Sequence, residues 1–121
     1  MEFHSLTPNL IVSDIDRSTA FYRDVLGFEQ VTTVPEQPPF VFVWLKHDVV
    51  DVFLNIPQDL PAAAGTNSIY IKMKGIDDLA AKVQKAGVKF AIAMHTEFYG
   101  MKEFAVKDPD GYLIIFAQEV K

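Results

Sequence analysis

The chain contains no cysteine, which excludes disulfide staples, thiolate nucleophiles and zinc or iron–sulfur centres held by sulfur. It also lacks any run of Lys or Arg. Sixteen acidic residues against eleven basic ones leave a formal charge of −5, so the electrostatic footprint of a nucleic-acid binder is missing. No apolar stretch approaches the length of a membrane-spanning helix. The first residues, MEFHSLTPNLIV, lack the basic start and long apolar segment of a secretory signal. The expectation is a cytoplasmic protein that engages neither membrane nor nucleic acid. Apolar side chains, by contrast, make up half of the 121 residues, enough for one domain with a substantial core.

The chain repeats itself. LTPNLIV reads as a strand, and SDIDRSTAFYRDVLGF follows it as a helix. Ile15, Tyr22, Val25 and Leu26 recur there at helical spacing, with the small Ser18 and Thr19 completing the stripe. Ser13 or Asp14 can cap the start of this helix, and Gly27 supplies a left-handed stop. Further on, SIYIKM reads as a strand and GIDDLAAKVQKAGVKF as a helix. Its stripe is Ile76, Leu79, Ala80, Val83 and Ala86; Asp77 and Asp78 occupy its first turn, and Gly87 ends it. β-rich sequence follows each helix: FEQVTTV, FVFVWLKH and VVDVFLNI in the first half, VKFAIAMHT, KEFAVKD and YLIIFAQEV in the second. Each half therefore reads as βαβββ. The first module spans about residues 5–57 and the second about 67–120, and a link at about 58–66 is rich in proline and small residues. Asp108-Pro-Asp-Gly111 is a tight turn between the last two strands. Pro109 suits its second position and Gly111 the left-handed one, so the two aspartates are expected to form the turn, not to act as catalysts. Pro8 cannot donate to a ladder, which makes the first strand an edge or a bulged strand.

A doubled βαβββ opened by IVSDIDRSTAFYRDVLGF and closed by YGMKEFAVKDPDGYLIIFAQ resembles the vicinal-oxygen-chelate superfamily: glyoxalases, extradiol dioxygenases and bleomycin-resistance proteins. The match in motif is nearest to the bleomycin-resistance branch and covers almost the whole chain. The resemblance implies an α+β fold with two tandem βαβββ modules, a curled mixed sheet around a cleft and helices on the outer face. It also implies a homodimer. Enzymes of this superfamily hold a metal with four side chains, one from the first and one from the last strand of each half. The matching positions here are Thr7, Phe53, Ser68 and Ile115. Phenylalanine and isoleucine have no lone pair to offer, and neutral hydroxyls alone hold a divalent ion poorly. A one-residue slip brings only Val52, Leu54, Asn67, Ile69, Ile114 or Phe116, so it does not rebuild the site. The usual metal is therefore not expected, and no cofactor is assigned.

Strand parity gives the surface that would replace it. Thr7, Asn9 and Ile11 share a face, as do Asp51, Phe53 and Asn55; Ser68, Tyr70 and Lys72; and Leu113, Ile115 and Ala117. This surface is mainly apolar with a few polar groups, as in small-molecule pockets. Phe40, Phe42 and Trp44 alternate along one strand and can bind planar ligands or fill a core. Tyr99 lies in EFYGMKEF, a segment similar to one in bleomycin-resistance proteins, which makes it a candidate for stacking on a ligand. Glu103 sits among apolar neighbours in a strand. Exposure to solvent is its expected fate; the alternative is a carboxylate at an apolar cleft, with a raised pKa suited to a base or to pairing with a cationic ligand. His4, His47 and His95 show no zinc-motif spacing and are expected to be surface or hydrogen-bonded histidines.

The expected function is metal-free binding of a small, planar or partly apolar organic molecule, with sequestration or sensing as its purpose and antibiotic resistance as the best-known example. The ligand would meet Thr7, Asn9, Trp44, Phe53, Ser68, Tyr70, Tyr99, Glu103 and Ile115. The alternative is a glyoxalase-type lyase or isomerase, or a dioxygenase, with a displaced metal site or metal-free acid–base catalysis in which Glu103 is the candidate base.

Overall fold

The computed structural model describes residues 1–2, 4–56 and 67–120; the expected link at 58–66 lies outside them. The chain divides into two compact units, Met1–Ala62 and Ala63–Lys121. Each carries a four-stranded mixed sheet with its helical segment, so the fold class is α+β.

In the first unit, β1 (Asn9–Ile11) leads into α1 (Ile15–Ala20). β2 (Glu29–Val34), β3 (Phe42–His47) and β4 (Val50–Asn55) follow, in the sheet order β1-β4-β3-β2. β1 is shorter than the sequence predicts: Thr7 and Pro8 precede it, although the Pro8 carbonyl still accepts from the Phe53 amide at 2.9 Å. The edge position expected from Pro8 is the one observed. Asp14 caps α1, accepting from the Arg17 amide at 3.0 Å. The helix does not run on regularly but widens into a π-helical stretch over Phe21–Val25. Its longer hydrogen-bonded loop shifts the phase of the stripe. Tyr22 and Leu26, four residues apart, remain buried, while Val25 turns half outward. Gly27, with φ at 81°, ends the segment.

The second unit repeats this plan. β5 (Ser68–Lys72) is followed by α2 (Ile76–Lys85), β6 (Ile92–Thr96), β7 (Met101–Lys107) and β8 (Leu113–Glu119), in the sheet order β5-β8-β7-β6. Ile76, Ala80 and Val83 of α2 are buried as predicted, but Ala86 is exposed at the C-cap. No side chain of its own caps α2. Instead the Gln118 side-chain oxygen on β8 accepts from the Ile76 amide at 2.9 Å, satisfying one of the helix's orphan donors. Val88–Phe90, expected to be strand, lie before β6.

The Asp-Pro-Asp-Gly turn forms as its residues dictate. The Gly111 amide donates to the Asp108 carbonyl at 3.0 Å. The buried Asp108 carboxylate accepts from the amides of Asp110 and Tyr112, both at 2.9 Å. These bonds occupy Asp108 in building the hairpin.

The faces of each sheet separate by parity. In the first unit, Leu10, Val43, Leu45, Val52 and Leu54 are buried, and Ile15, Ser18, Thr19 and Tyr22 are the buried residues of the helical segment. In the second, Phe104, Val106, Ile114 and Phe116 are buried, with Phe104 stacked between Phe90 and Phe116 at centroid distances of 4.6 and 5.2 Å. The opposite faces are only partly covered, and they carry site residues expected from the sequence.

Candidate functional site

On the partly covered face of the first unit, β1 pairs with β4 and β4 with β3, so that Asn9, Phe53 and Trp44 stand in one row. Phe53 meets Phe42 and Trp44 edge-on, at centroid distances of 5.1 and 6.0 Å. The Asn55 amide donates to Asn9. The Trp44 indole donates to the Asp51 carboxylate at 2.8 Å, and Lys46 reaches the same oxygen at 3.2 Å. The predicted residues Asn9, Phe53 and Trp44 thus share a surface, with Thr7 just before its edge strand. Asp51 and Lys46 supply polarity there.

The indole hydrogen bond is the largest influence on Asp51. Together with Lys46 it outweighs the opposing effect of burial and holds the carboxyl below the ordinary aspartate range. A depressed carboxylate adds stability that is fully present above its unfolded-state pKa and is lost as pH falls through the folded value. Trp44→Phe is therefore expected to raise the Asp51 pKa in a carbon-detected NMR titration. An unchanged value would show that the indole bond does not form in solution.

In the second unit the partly covered face belongs to β5, β8, β7 and β6. Ile115 lies between Ala105 and Tyr70, and Ser68 pairs with Leu113. Glu103 is not the exposed residue expected from the sequence: only 6% of it meets solvent. Tyr70 donates to its Oε2, and Tyr99 donates to the same oxygen at 2.7 Å. Burial pushes the Glu103 carboxyl up, but the two tyrosine hydroxyls and the nearby His95 outweigh it, leaving the pKa lowered. A base with a raised pKa is thus corrected to a fixed, ionised carboxylate. The same bonds raise both phenols, chiefly because ionisation would remove the donors Glu103 relies on. The rings of Tyr70 and Tyr99 stay accessible, 44% and 53% exposed, and Phe98, almost fully exposed, meets Tyr99 edge-on at 5.3 Å.

Two residues that the sequence reading did not select join this group. His95 stands directly across from Glu103 in the β6–β7 pairing. Its Nε2 lies 2.9 Å from Glu97 Oε1 and 3.8 Å from Glu103 Oε1. Its Nδ1 lies 2.9 Å from the Ala93 carbonyl, which can only accept, so Nδ1 carries a proton; Nε2 also faces an acceptor, the Glu97 carboxylate. The bond to Ala93 is also the first cause of the raised His95 pKa, with Glu97 and Glu103 contributing against desolvation. The short spacing of His95, in β6, and Glu97, just past its end, was the available signal. His4 lies 3.3 Å from the exposed Glu2, and His47 lies 3.6 Å from the exposed Asp48 and meets Phe28 edge-on at 5.7 Å.

Paired βαβββ units with polar and aromatic residues on their open faces define a class, and the comparisons identify it. The family model described as Glyoxalase/Bleomycin resistance protein/Dioxygenase superfamily matches residues 3–116. The chain belongs to that superfamily. It is similar to a bleomycin resistance protein of Geobacillus stearothermophilus, 30% identical over 131 residues that cover 94% of this chain and 96% of the relative. Among solved structures, TioX from Micromonospora sp. ML1 superposes with a TM-score of 0.84 at 18% identity, over 98% of this chain and 100% of that one. TnmS3, an antibiotic-binding protein from Streptomyces sp. CB03234, superposes with a TM-score of 0.80 at 21% identity, over 98% of this chain and 97% of that one.

Proposed function

We propose that this protein binds a small, planar or partly apolar organic molecule bearing positive charge, and sequesters or senses it. The observation that carries this reading is the environment of Glu103. An ionised carboxylate, buried and oriented by two hydroxyls, lies beside accessible tyrosine rings. A fixed negative charge attracts a cationic group, and aromatic faces attract both cations and flat ring systems. Trp44 and Phe53 on the first unit offer further aromatic surface, beside an Asp51 carboxylate already paired with Lys46. The bleomycin resistance proteins among the relatives and the antibiotic-binding TnmS3 support an antibiotic as the ligand class.

The rival reading is glyoxalase-type or dioxygenase chemistry at the superfamily's usual metal positions. Thr7, Phe53, Ser68 and Ile115 are poorly suited to it, because two of the four side chains cannot donate an electron pair. The reading favoured here includes the homodimer expected of this class, which sedimentation of the free protein would check.

Calorimetric titration with bleomycin and with smaller planar cationic drugs, in buffer containing a chelator, tests the proposal. Saturable binding accompanied by a rise in Tm is expected. The absence of binding and of any Tm change with every such compound would overturn it.

A further inference from the structure

We infer that the β6–β7 hairpin holds a divalent first-row transition metal through His95 Nε2, Glu97 Oε1 and Glu103 Oε1. This site uses none of the four positions where the superfamily resemblance places a metal. It does not depend on the drug-binding reading, although Glu103 serves both.

Four observations support the assignment. The first is proximity: one donor atom from each of the three residues lies within 4.8 Å of the other two. Metal–nitrogen and metal–oxygen bonds of about 2.0–2.2 Å place adjacent ligand atoms roughly 3–3.5 Å apart. The 2.9 and 3.8 Å separations around Nε2 bracket that span, so small side-chain rotations suffice to centre an ion.

The second is the orientation of the imidazole. With Nδ1 donating to the Ala93 carbonyl, Nε2 is the nitrogen that faces the two carboxylate oxygens, and a proton or a metal ion must lie between them. A backbone carbonyl in this role is the usual outer partner of a metal-bound histidine.

The third concerns Glu103. Its Oε2 takes both tyrosine hydroxyls, while Oε1 has no hydrogen-bond donor among the described residues; its near neighbour is His95 Nε2 at 3.8 Å. A carboxylate oxygen on a side chain only 8% exposed is thus left directed into the cluster. That oxygen lies on the same face as His95 Nε2 and is available to a cation held there.

The fourth is the backbone. The β6–β7 register shifts between Ile92 and His95, where β6 carries one residue more than β7. The extra residue turns His95, and Glu97 two positions on, toward the face that Glu103 occupies.

One imidazole and two carboxylates suit manganese, iron, cobalt, nickel or zinc in the divalent state. Three protein ligands leave coordination positions open to water or to donor atoms of a bound organic molecule.

Protein stripped with chelator and then freed of it is titrated with Zn²⁺, Mn²⁺ and Co²⁺, following calorimetry, Tm and the visible spectrum of cobalt. One equivalent should bind, raise Tm and, for cobalt, give ligand-field bands. His95→Ala and Glu97→Gln, both at partly exposed positions whose replacement spares the core, should each lower the affinity tenfold or more. Failure of all three metals to bind saturably overturns the inference, as does binding that His95→Ala leaves unchanged. Drug binding is measured separately in chelator, so a protein that binds drug but no metal refutes this inference alone.

Discussion

Glu103→Gln is expected to weaken binding of a planar cationic drug by about 2–5 kcal/mol, the usual cost of removing one partner from a buried charge pair. The lower figure corresponds to roughly a thirtyfold rise in Kd. The substitution preserves side-chain length and leaves an oxygen able to accept from Tyr70 and Tyr99, so the loss reports the charge more than the shape. Tyr99→Phe should cost less, about 0.5–1.5 kcal/mol, because it removes one hydrogen bond and keeps the ring. The ordering of these two variants separates a recognition carboxylate from a structural one. Calorimetry showing Glu103→Gln binding as tightly as the wild type would reduce Glu103 to an anchor for its two tyrosines.

Phe104→Ala is expected to destabilise the protein by about 3–5 kcal/mol in urea unfolding, the range for deleting a fully buried ring. Phe104 has no solvent exposure and lies between the rings of Phe90 and Phe116, so its removal leaves a cavity with aromatic walls on two sides. Against the ~5–15 kcal/mol that holds an ordinary domain together, that is a large fraction. Phe104 and Glu103 are adjacent in sequence yet point to opposite faces of β7. The two substitutions should therefore separate cleanly: one alters stability, the other recognition. A loss below about 1 kcal/mol for Phe104→Ala would mean that the three-ring stack contributes little beyond what neighbouring side chains can replace.

What could be read from the sequence was chemistry confined to neighbouring residues. Asp14 ahead of an apolar stripe, the glycines after each helix and Asp-Pro-Asp-Gly act over three or four positions, and each does what its residue type requires. Strand parity also held where a strand was regular, placing Asn9, Phe53 and Trp44 in one row and Ile115 beside Tyr70. Glu103 was misread because its burial depends on Tyr70, thirty-three positions earlier, and on Tyr99 beyond the end of its strand. His95 was expected to be a surface or hydrogen-bonded histidine, and Glu97 was not singled out, for a different reason. Their approach to Glu103 depends on the extra residue of β6 between Ile92 and His95, which has no marker in the local sequence. The widened turn of the first helical segment likewise has no local signature, although it alters which side of the helix Val25 occupies.

The strand order has a kinetic consequence. Among the described residues, the opening strand of each unit is paired only with the closing one: β1 with β4, and β5 with β8. In the second unit that closing strand also brings Gln118 to the start of α2. During synthesis, β5 and the first turn of α2 must therefore wait, unsatisfied, until the ribosome has released β8. Assembly of the unit is then gated by its last-made strand. A nascent chain stalled just short of that strand should remain open to protease, and a few more residues should close it abruptly.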